Sequence, residues 1–175
     1  LCDAGNYVGS TGNAKCVPCP AGSFSDKAGS SVCTKCSPGS FTSDASTNST
    51  CTKCPIGQYN TISSATQCTT CSPGKFTTGV GFTVCTGCPL GKYSTQGLNT
   101  TSCFNCAVGK YADKVGSSGC TLCPPGKFTN TQGATACTAC PAGSYQPDAG
   151  ENSCDIANNG TYAPGGGAAA IPCPS

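Results

Sequence analysis

The chain has 175 residues, a formal net charge of +2 and only 9% charged residues, with 24 Gly, 13 Pro and 19 Cys but no His, Met or Trp. It is too poor in large aliphatic side chains to bury one apolar core, and it has no basic run that would bind nucleic acid. No apolar stretch approaches the roughly 20 residues that cross a membrane, and without histidine there is no Ser-His or Cys-His catalytic pair. We therefore expect no enzyme, no cofactor site and no membrane insertion.

Cysteine at this density is typical of small secreted domains that disulfides hold together, and it indicates an extracellular or cell-surface location. Zinc is the alternative, because CxxC pairs recur along the chain and such pairs bind zinc. Structural zinc sites take two pairs for each ion, often with histidine, whereas these pairs form one evenly spaced series. The spacing favours disulfides, and we predict no metal site.

A repeat of 17 residues, twice lengthened to 18, runs through the chain. In each repeat, Gly follows the second Cys of a CxxC pair by three residues, and Phe or Tyr comes two residues later. "CDAGNY" at the start and "ANNGTY" near the end are in phase with this pattern. The pairs are Cys16/Cys19, Cys33/Cys36, Cys51/Cys54, Cys68/Cys71, Cys85/Cys88, Cys103/Cys106, Cys120/Cys123 and Cys137/Cys140.

Local structure within a repeat follows from its turn and its aromatic residue. Pro-x-Gly predicts a tight turn in which glycine supplies a positive φ. A short strand such as "GSFSD" is expected to pair with one near "SSVC" as a small hairpin, and each ring to cover a disulfide. No 3.6-residue apolar pattern predicts a helix. The predicted fold class is small disulfide-rich β and irregular repeats, about ten of them, in an elongated rod-like array whose repeats touch only their neighbours.

One irregular repeat indicates which cysteines pair. In register, Ala157 stands where the second Cys of a pair belongs, and Ala170 stands where the first Cys of the following pair belongs. Their joint loss is tolerated if the second Cys of each pair (the opening cysteine) bonds the first Cys of the next pair (the closing cysteine). Bonding within each CxxC pair would instead leave Cys154 and Cys173 both unpaired.

This pairing uses 18 of the 19 cysteines and leaves Cys173 over. Each bridge closes a loop of about 15 residues, worth about 3 kcal/mol if disulfides act through chain entropy. The predicted bridges are Cys2–Cys16, Cys19–Cys33, Cys36–Cys51, Cys54–Cys68, Cys71–Cys85, Cys88–Cys103, Cys106–Cys120, Cys123–Cys137 and Cys140–Cys154.

The domain organisation follows the same register. Residues 1–154 hold nine in-phase disulfide-closed repeats, residues 155–172 form a Gly/Ala-rich degenerate repeat, and residues 173–175 start a further one. Both ends cut through repeats, so we expect the chain to be a window on a longer array.

The unit C-x-x-C-[PS]-x-G-x-[FY], with about nine residues to the next Cys, resembles the ephrin-receptor-like cysteine-rich repeat. It is also similar to the first submodule of TNF-receptor cysteine-rich domains. The resemblance covers the chain except for the degenerate segment, and it implies the same opening-to-closing pairing and a role in receptors, stalks, adhesins or surface coats. The second, differently spaced submodule of TNF-receptor domains is missing, which argues against cytokine-type ligand binding.

Covalent sugar is predicted on the surface. Asn48, Asn99 and Asn159 begin N-glycosylation sequons, and the first two lie in the 18-residue repeats just before a closing cysteine. The extra residue gives room for a glycan at a loop tip, with a neutral loop insertion as the alternative. The many Ser and Thr suit O-glycans, which would supply the solubility that so few charges do not.

Charged side chains recur at two positions of the repeat. The aspartates that follow the aromatic residue suit either a weak calcium site or, more simply, loop turns. The lysines that precede it form a ladder of cations or, more simply, solvated edge residues that oppose unwanted strand pairing. These residues are Asp26, Asp44, Asp113 and Asp148, and Lys75, Lys92, Lys110 and Lys127.

These patterns predict an extracellular structural glycoprotein, a stalk or filament subunit at a cell surface. It would assemble with further copies of itself or with neighbouring repeats of a longer chain. The alternatives are the ectodomain of an adhesion or signalling receptor and a protist surface-coat antigen. Covalent glycans are the only non-protein groups expected.

Overall fold

The computed structural model of the protein describes residues 1–9, 15–95 and 102–174. Within these ranges the regular structure is ten antiparallel two-stranded hairpins, without a helix, which confirms the predicted class of small β repeats. The hairpins are β1 (Asn6–Val8) with β2 (Cys16–Pro18), β3 (Ser23–Phe24) with β4 (Thr34–Lys35), β5 (Ser40–Phe41) with β6 (Thr52–Lys53), β7 (Gln58–Tyr59) with β8 (Thr69–Thr70), β9 (Lys75–Phe76) with β10 (Thr86–Gly87), β11 (Lys92–Tyr93) with β12 (Phe104–Asn105), β13 (Lys110–Tyr111) with β14 (Thr121–Leu122), β15 (Lys127–Phe128) with β16 (Thr138–Ala139), β17 (Ser144–Tyr145) with β18 (Asp155–Ile156), and β19 (Thr161–Tyr162) with β20 (Ile171–Pro172).

We number the repeats by their opening position, so that Cys2 opens repeat 1, Cys19 opens repeat 2 and Ala157 opens repeat 10. The chain divides into two compact lobes. The first lobe holds Leu1–Cys71 and Phe76–Thr86, and the second holds Ser72–Lys75 and most of residues 87–174. Every contact described below lies within one lobe.

The return strand begins just after the closing cysteine in repeats 2 to 9, whereas β2 of repeat 1 begins at the closing cysteine Cys16 itself. In repeat 2, Phe24 lies opposite Thr34 and Ser23 lies opposite Lys35, so the partner of "GSF" directly follows "SSVC" and the hairpin predicted near it is confirmed. The turn that Ser23 N closes on Pro20 O (3.1 Å) folds Cys19 back beside β3. Because Cys33 must reach Cys19, with a Cα–Cα distance of 5.7 Å, Cys33 also lies beside β3 and pairing starts one residue later.

Nine disulfides close the first nine repeats, with Cα–Cα distances from 5.4 to 5.9 Å. They join the cysteines paired in the sequence analysis, from Cys2–Cys16 to Cys140–Cys154. The opening cysteines are at most 3% exposed, whereas the closing cysteines are half-buried, apart from Cys16, which is exposed. The buried centre of each repeat is therefore the opening end of its bridge.

The aromatic rings contribute less to this centre than expected. From Tyr7 to Tyr145 they are half-buried, and Tyr162 is exposed. Burial is concentrated one residue further on, at a row that we call the buried polar row. Its members are Ser25, Thr42, Asn60, Thr77, Ser94, Ala112, Thr129, Gln146 and Ala163.

Candidate functional site

The feature that recurs most regularly is the junction between consecutive repeats. Four backbone hydrogen bonds of fixed type recur at most junctions, whereas the junctions between repeats 2 and 3 and between repeats 4 and 5 have three of the four. Between repeats 8 and 9, Gly126 N donates to Gln146 O (2.8 Å), and Cys140 N donates to Gly126 O (2.9 Å). Thr129 N donates to Glu151 O (3.4 Å), and Gly150 N donates to Cys123 O (2.8 Å). The repeats are thus joined through main-chain atoms, without requiring particular side chains.

Contacts also reach the next repeat but one, so the expectation that repeats touch only their neighbours is wrong. A Cβ placed on Gly126 of repeat 8 would collide with the backbone carbonyl oxygen of Gly166 in repeat 10. Likewise, a Cβ placed on Gly39 of repeat 3 would collide with the backbone carbonyl oxygen of Gly81 in repeat 5. Glycine is therefore needed at this position of the repeat for two reasons. A Cβ would not fit, and the φ of 80° at Gly126 is one that other residues rarely adopt.

The buried polar row completes the junction with side chains. Thr42 Oγ1 accepts a hydrogen bond from Gly22 N (2.7 Å), and Thr77 Oγ1 accepts one from Gly57 N (2.8 Å). Asn60 Nδ2 donates to Ser40 O (2.8 Å). This row was not among the features predicted from the sequence, although the residue after each aromatic is polar or alanine from repeat 2 onward.

Shallow grooves lie between consecutive repeats. One is lined by Tyr93, Ala107, Lys110 and Cys120 and has a volume of about 210 Å³. A wider groove of about 470 Å³ in the first lobe is lined by residues that include Tyr7, Pro20 and Val32. In both, the ring of one repeat faces the closing cysteine of the next, so the rings line grooves between repeats.

The lysines lie where the sequence places them, on the first strands of hairpins. Lys92 is half-exposed, and Lys75, Lys110 and Lys127 are exposed. In the earlier hairpins the cation is on the return strand instead, where Lys35 lies opposite Ser23 and Lys53 lies opposite Ser40. The positions of these lysines are therefore explained by exposure to solvent on the face of a hairpin.

The aspartates serve turns where the structure gives them partners. Asp44 Oδ1 accepts a hydrogen bond from Ser46 Oγ (2.9 Å), and Asp148 N donates to Gln146 Oε1 (3.0 Å). Within residues 1–9, 15–95 and 102–174, no three potential metal ligands cluster. The same ranges contain no helix long and apolar enough to cross a bilayer.

The three sequons lie in different settings. Asn159 is exposed in the turn that precedes β19. Asn48 is half-exposed, and its Nδ2 donates to Asp44 O (2.9 Å) while its own carbonyl accepts from Ser25 N (3.0 Å). Asn99 lies outside the described residues. Glycosylation at all three stays a prediction.

Cys173 is exposed and free. Its amide donates to Gly160 O (2.9 Å), as Cys140 N donates to Gly126 O (2.9 Å). Its backbone therefore occupies the position of an opening cysteine.

Tandem hairpins, of which the first nine are each closed by a disulfide from the opening to the closing cysteine, define an array of extracellular-type cysteine-rich repeats. The sequence profile of the family described as tyrosine-protein kinase ephrin type A/B receptor-like matches residues 5–49 and 91–136, more than half of the chain. The chain belongs to this family, as its repeat unit indicated. No curated protein sequence matches the chain.

Proposed function

We propose that this chain is a structural segment of an extracellular glycoprotein, part of a stalk or filament at a cell surface. The observation that carries the proposal is the repeated junction, in which the same backbone hydrogen bonds join consecutive repeats within each lobe. Because these bonds use main-chain atoms, they form with many different side chains in the repeats, provided that the turn glycine is kept. A repeat can be added or lost without rebuilding a specific site, which suits a scaffold of variable length.

The chemistry of the side chains supports the same proposal. The sequence contains no histidine, and its seven carboxylates and nine lysines are spread over the repeats. We therefore propose that it is no enzyme and holds no cofactor other than covalent sugar. Further copies of the chain, or further repeats of the same kind, are the partners that such a scaffold would take.

Electron microscopy of intact source cells tests this proposal. A gold-labelled antibody against the chain should bind in rows along surface fibres. Cross-linking of the isolated fibres should give peptides that join two copies of the chain. Label spread evenly over the cell membrane, with no fibre and no cross-link between copies, would overturn the proposal.

A receptor ectodomain is the second candidate, favoured by the family description and by the wider groove at Tyr7, Pro20 and Val32. A ligand-binding site needs one repeat that differs from the others, and this groove is larger than the groove at Tyr93 and Cys120. If this groove binds a ligand, Val32→Asp should abolish binding of the secreted chain to cells that carry the ligand. The equally exposed Val115→Asp, in the second lobe, serves as the control.

A further inference from the structure

One position of the repeat carries an exposed threonine in six repeats. It is the residue directly after the closing cysteine, where the return strand begins. All six side chains are exposed. The six residues, which we call the outer threonines, are Thr34, Thr52, Thr69, Thr86, Thr121 and Thr138.

The outer threonines face the aromatic rings. In five hairpins the register places the threonine directly opposite the ring, as for Tyr111 with Thr121 and Phe128 with Thr138. Thr86 holds the equivalent place in β10. Side chains opposite each other in an antiparallel pair lie about 5 Å apart at Cβ, so a group on the threonine oxygen would reach the half-buried ring.

In other repeats, an apolar side chain occupies the position opposite the aromatic ring. In repeat 6 it is Phe104, whose ring centroid lies 6.0 Å from that of Tyr93. In repeats 1 and 10 it is Val17 opposite Tyr7 and Ile171 opposite Tyr162. A β-branched residue suits the strand, but valine would suit it equally and cover the ring better. Strand geometry therefore does not explain the hydroxyl.

The hydroxyls of the outer threonines are free to react. Among the described residues, the threonine hydroxyls that hydrogen-bond to protein atoms occupy other positions: Thr42, Thr77, Thr129, Thr131 and Thr161. The first three belong to the buried polar row and are 4%, 1% and 5% exposed. The threonines of the buried polar row are therefore both buried and hydrogen-bonded, whereas the outer threonines are exposed and have no hydrogen bond to protein among the described residues.

We infer that the outer threonines are O-glycosylation sites, one in each of six repeats, whose sugars lie against the aromatic rings. This deepens the proposed function, since it rests on the chain being an extracellular glycoprotein. A glycosyltransferase would use a nucleotide sugar: threonine Oγ1 bonds to C1 of the sugar, the C1–phosphate bond breaks, and the nucleoside diphosphate leaves. The hydroxyl proton passes to a base of the transferase. The sugars would cover ring surface that is otherwise exposed and would solubilise a surface with only 9% charged residues.

Glycopeptide mass spectrometry of the chain isolated from its source, after N-glycosidase treatment, tests this inference. The outer threonines should carry O-linked sugar, and the buried Thr42, Thr77 and Thr129 of the same molecule should carry none. Unmodified outer threonines, or equal occupancy of the buried set, would overturn it. A native fibre without these sugars would refute the sugar assignment alone. Sugars on a chain that forms no fibre would refute the structural role alone.

A set of variants expressed in the source cells sharpens the test. Changing all six outer threonines to valine keeps the branched side chain and should remove the O-linked mass from those peptides. Changing Thr42, Thr77 and Thr129 to valine instead should leave the O-linked mass unchanged. Non-reduced peptide maps with all nine bridges present confirm that each variant has folded. An unchanged O-linked mass in the first variant would contradict the assignment.

Discussion

Repeats 9 and 10 are neighbours with the same backbone, yet only repeat 9 has a disulfide. Ser144 N closes its turn on Pro141 O at 3.0 Å, and Thr161 N closes the matching turn on Asn158 O at the same distance. The tip of repeat 10 bonds back to repeat 9, Gly166 N to Cys140 O (2.7 Å), as Gly150 N bonds back to Cys123 O (2.8 Å). The hairpin is therefore shaped by its turn and its junction.

What differs is how the two repeats are held. Repeat 9 has the Cys140–Cys154 bridge, a buried Gln146 that donates to Ser153 O (2.9 Å), and a half-buried Tyr145. Repeat 10 has no counterpart to any of these three, and Tyr162 is 47% exposed. Glycine and backbone hydrogen bonds therefore define the repeat, while the disulfide reduces the conformational entropy of the unfolded chain and so stabilises the fold.

Reduction of the disulfides leaves every repeat without a bridge, as repeat 10 is already. It has the largest expected effect on the stability of the fold. In the entropic account, each of the nine loops loses about 3 kcal/mol of stability when its disulfide is reduced. The small apolar core of each repeat cannot compensate for that loss. We expect circular dichroism and protease resistance to collapse in reductant at neutral pH. An unreduced sample in the same buffer is the control. A reduced chain that keeps its spectrum would contradict the account.

Adding the missing bridge makes repeat 10 resemble repeat 9. Ala157 and Ala170 are 13 positions apart, against 14 or 15 in the native bridges. Ala157→Cys with Ala170→Cys should stabilise this repeat by about 3 kcal/mol. Hydrogen exchange at Thr161 and Ile171 should then slow by roughly two orders of magnitude.

The matched control for that bridge is Ala157→Ser with Ala170→Ser, which changes size and polarity without a bond. Its exchange rates should equal those of the parent chain. A non-reduced map in which the thiol introduced at position 170 bonds to Cys173 instead would show that repeat 10 lacks the loop geometry of the other nine.

Two glycines at the same position of the repeat separate backbone conformation from close approach. Gly126 and Gly143 have φ values of 80° and 86°, but a Cβ meets the Gly166 carbonyl only at Gly126 and nothing within 4 Å at Gly143. Alanine should cost about 1–2 kcal/mol at either through its φ. Gly126→Ala should lose roughly 1–3 kcal/mol more, the range for forced overpacking.

Thermal unfolding with the disulfides intact measures this difference. Gly119→Ala provides the baseline, because Gly119 has neither a positive φ nor a neighbour within 4 Å. Equal losses at Gly126 and Gly143 would mean that the contact with the next repeat but one contributes nothing.

The smallest effect concerns the buried polar row, which has no polar side chain in repeats 7 and 10, at Ala112 and Ala163. Thr77→Val removes the acceptor that Gly57 N uses at 2.8 Å and leaves a buried donor unpaired, at a cost of about 1–2 kcal/mol. The Gly57 amide should exchange about tenfold faster or more. Thr66→Val, at an exposed turn position, should change nothing.

Much of the repeat was predictable because its signals are local. The period, the turn glycine and the loss of cysteine at Ala157 and Ala170 as a pair each depend on residues within one or two repeats. The return strand near "SSVC" was predicted correctly too, although its start at Thr34 depends on how far the turn folds Cys19 back toward Cys33.

The sequence by itself determined the repeat, its bridges and its family, because a disulfide loop and a Pro-x-Gly turn are closed by residues close together along the chain. Only the tertiary structure decided that Gly126 meets Gly166, which residues form the buried polar row, and which threonines stay outside. Those features depend on how one repeat is placed against the next two. That placement is set by backbone hydrogen bonds, and every non-proline residue carries the groups that make them.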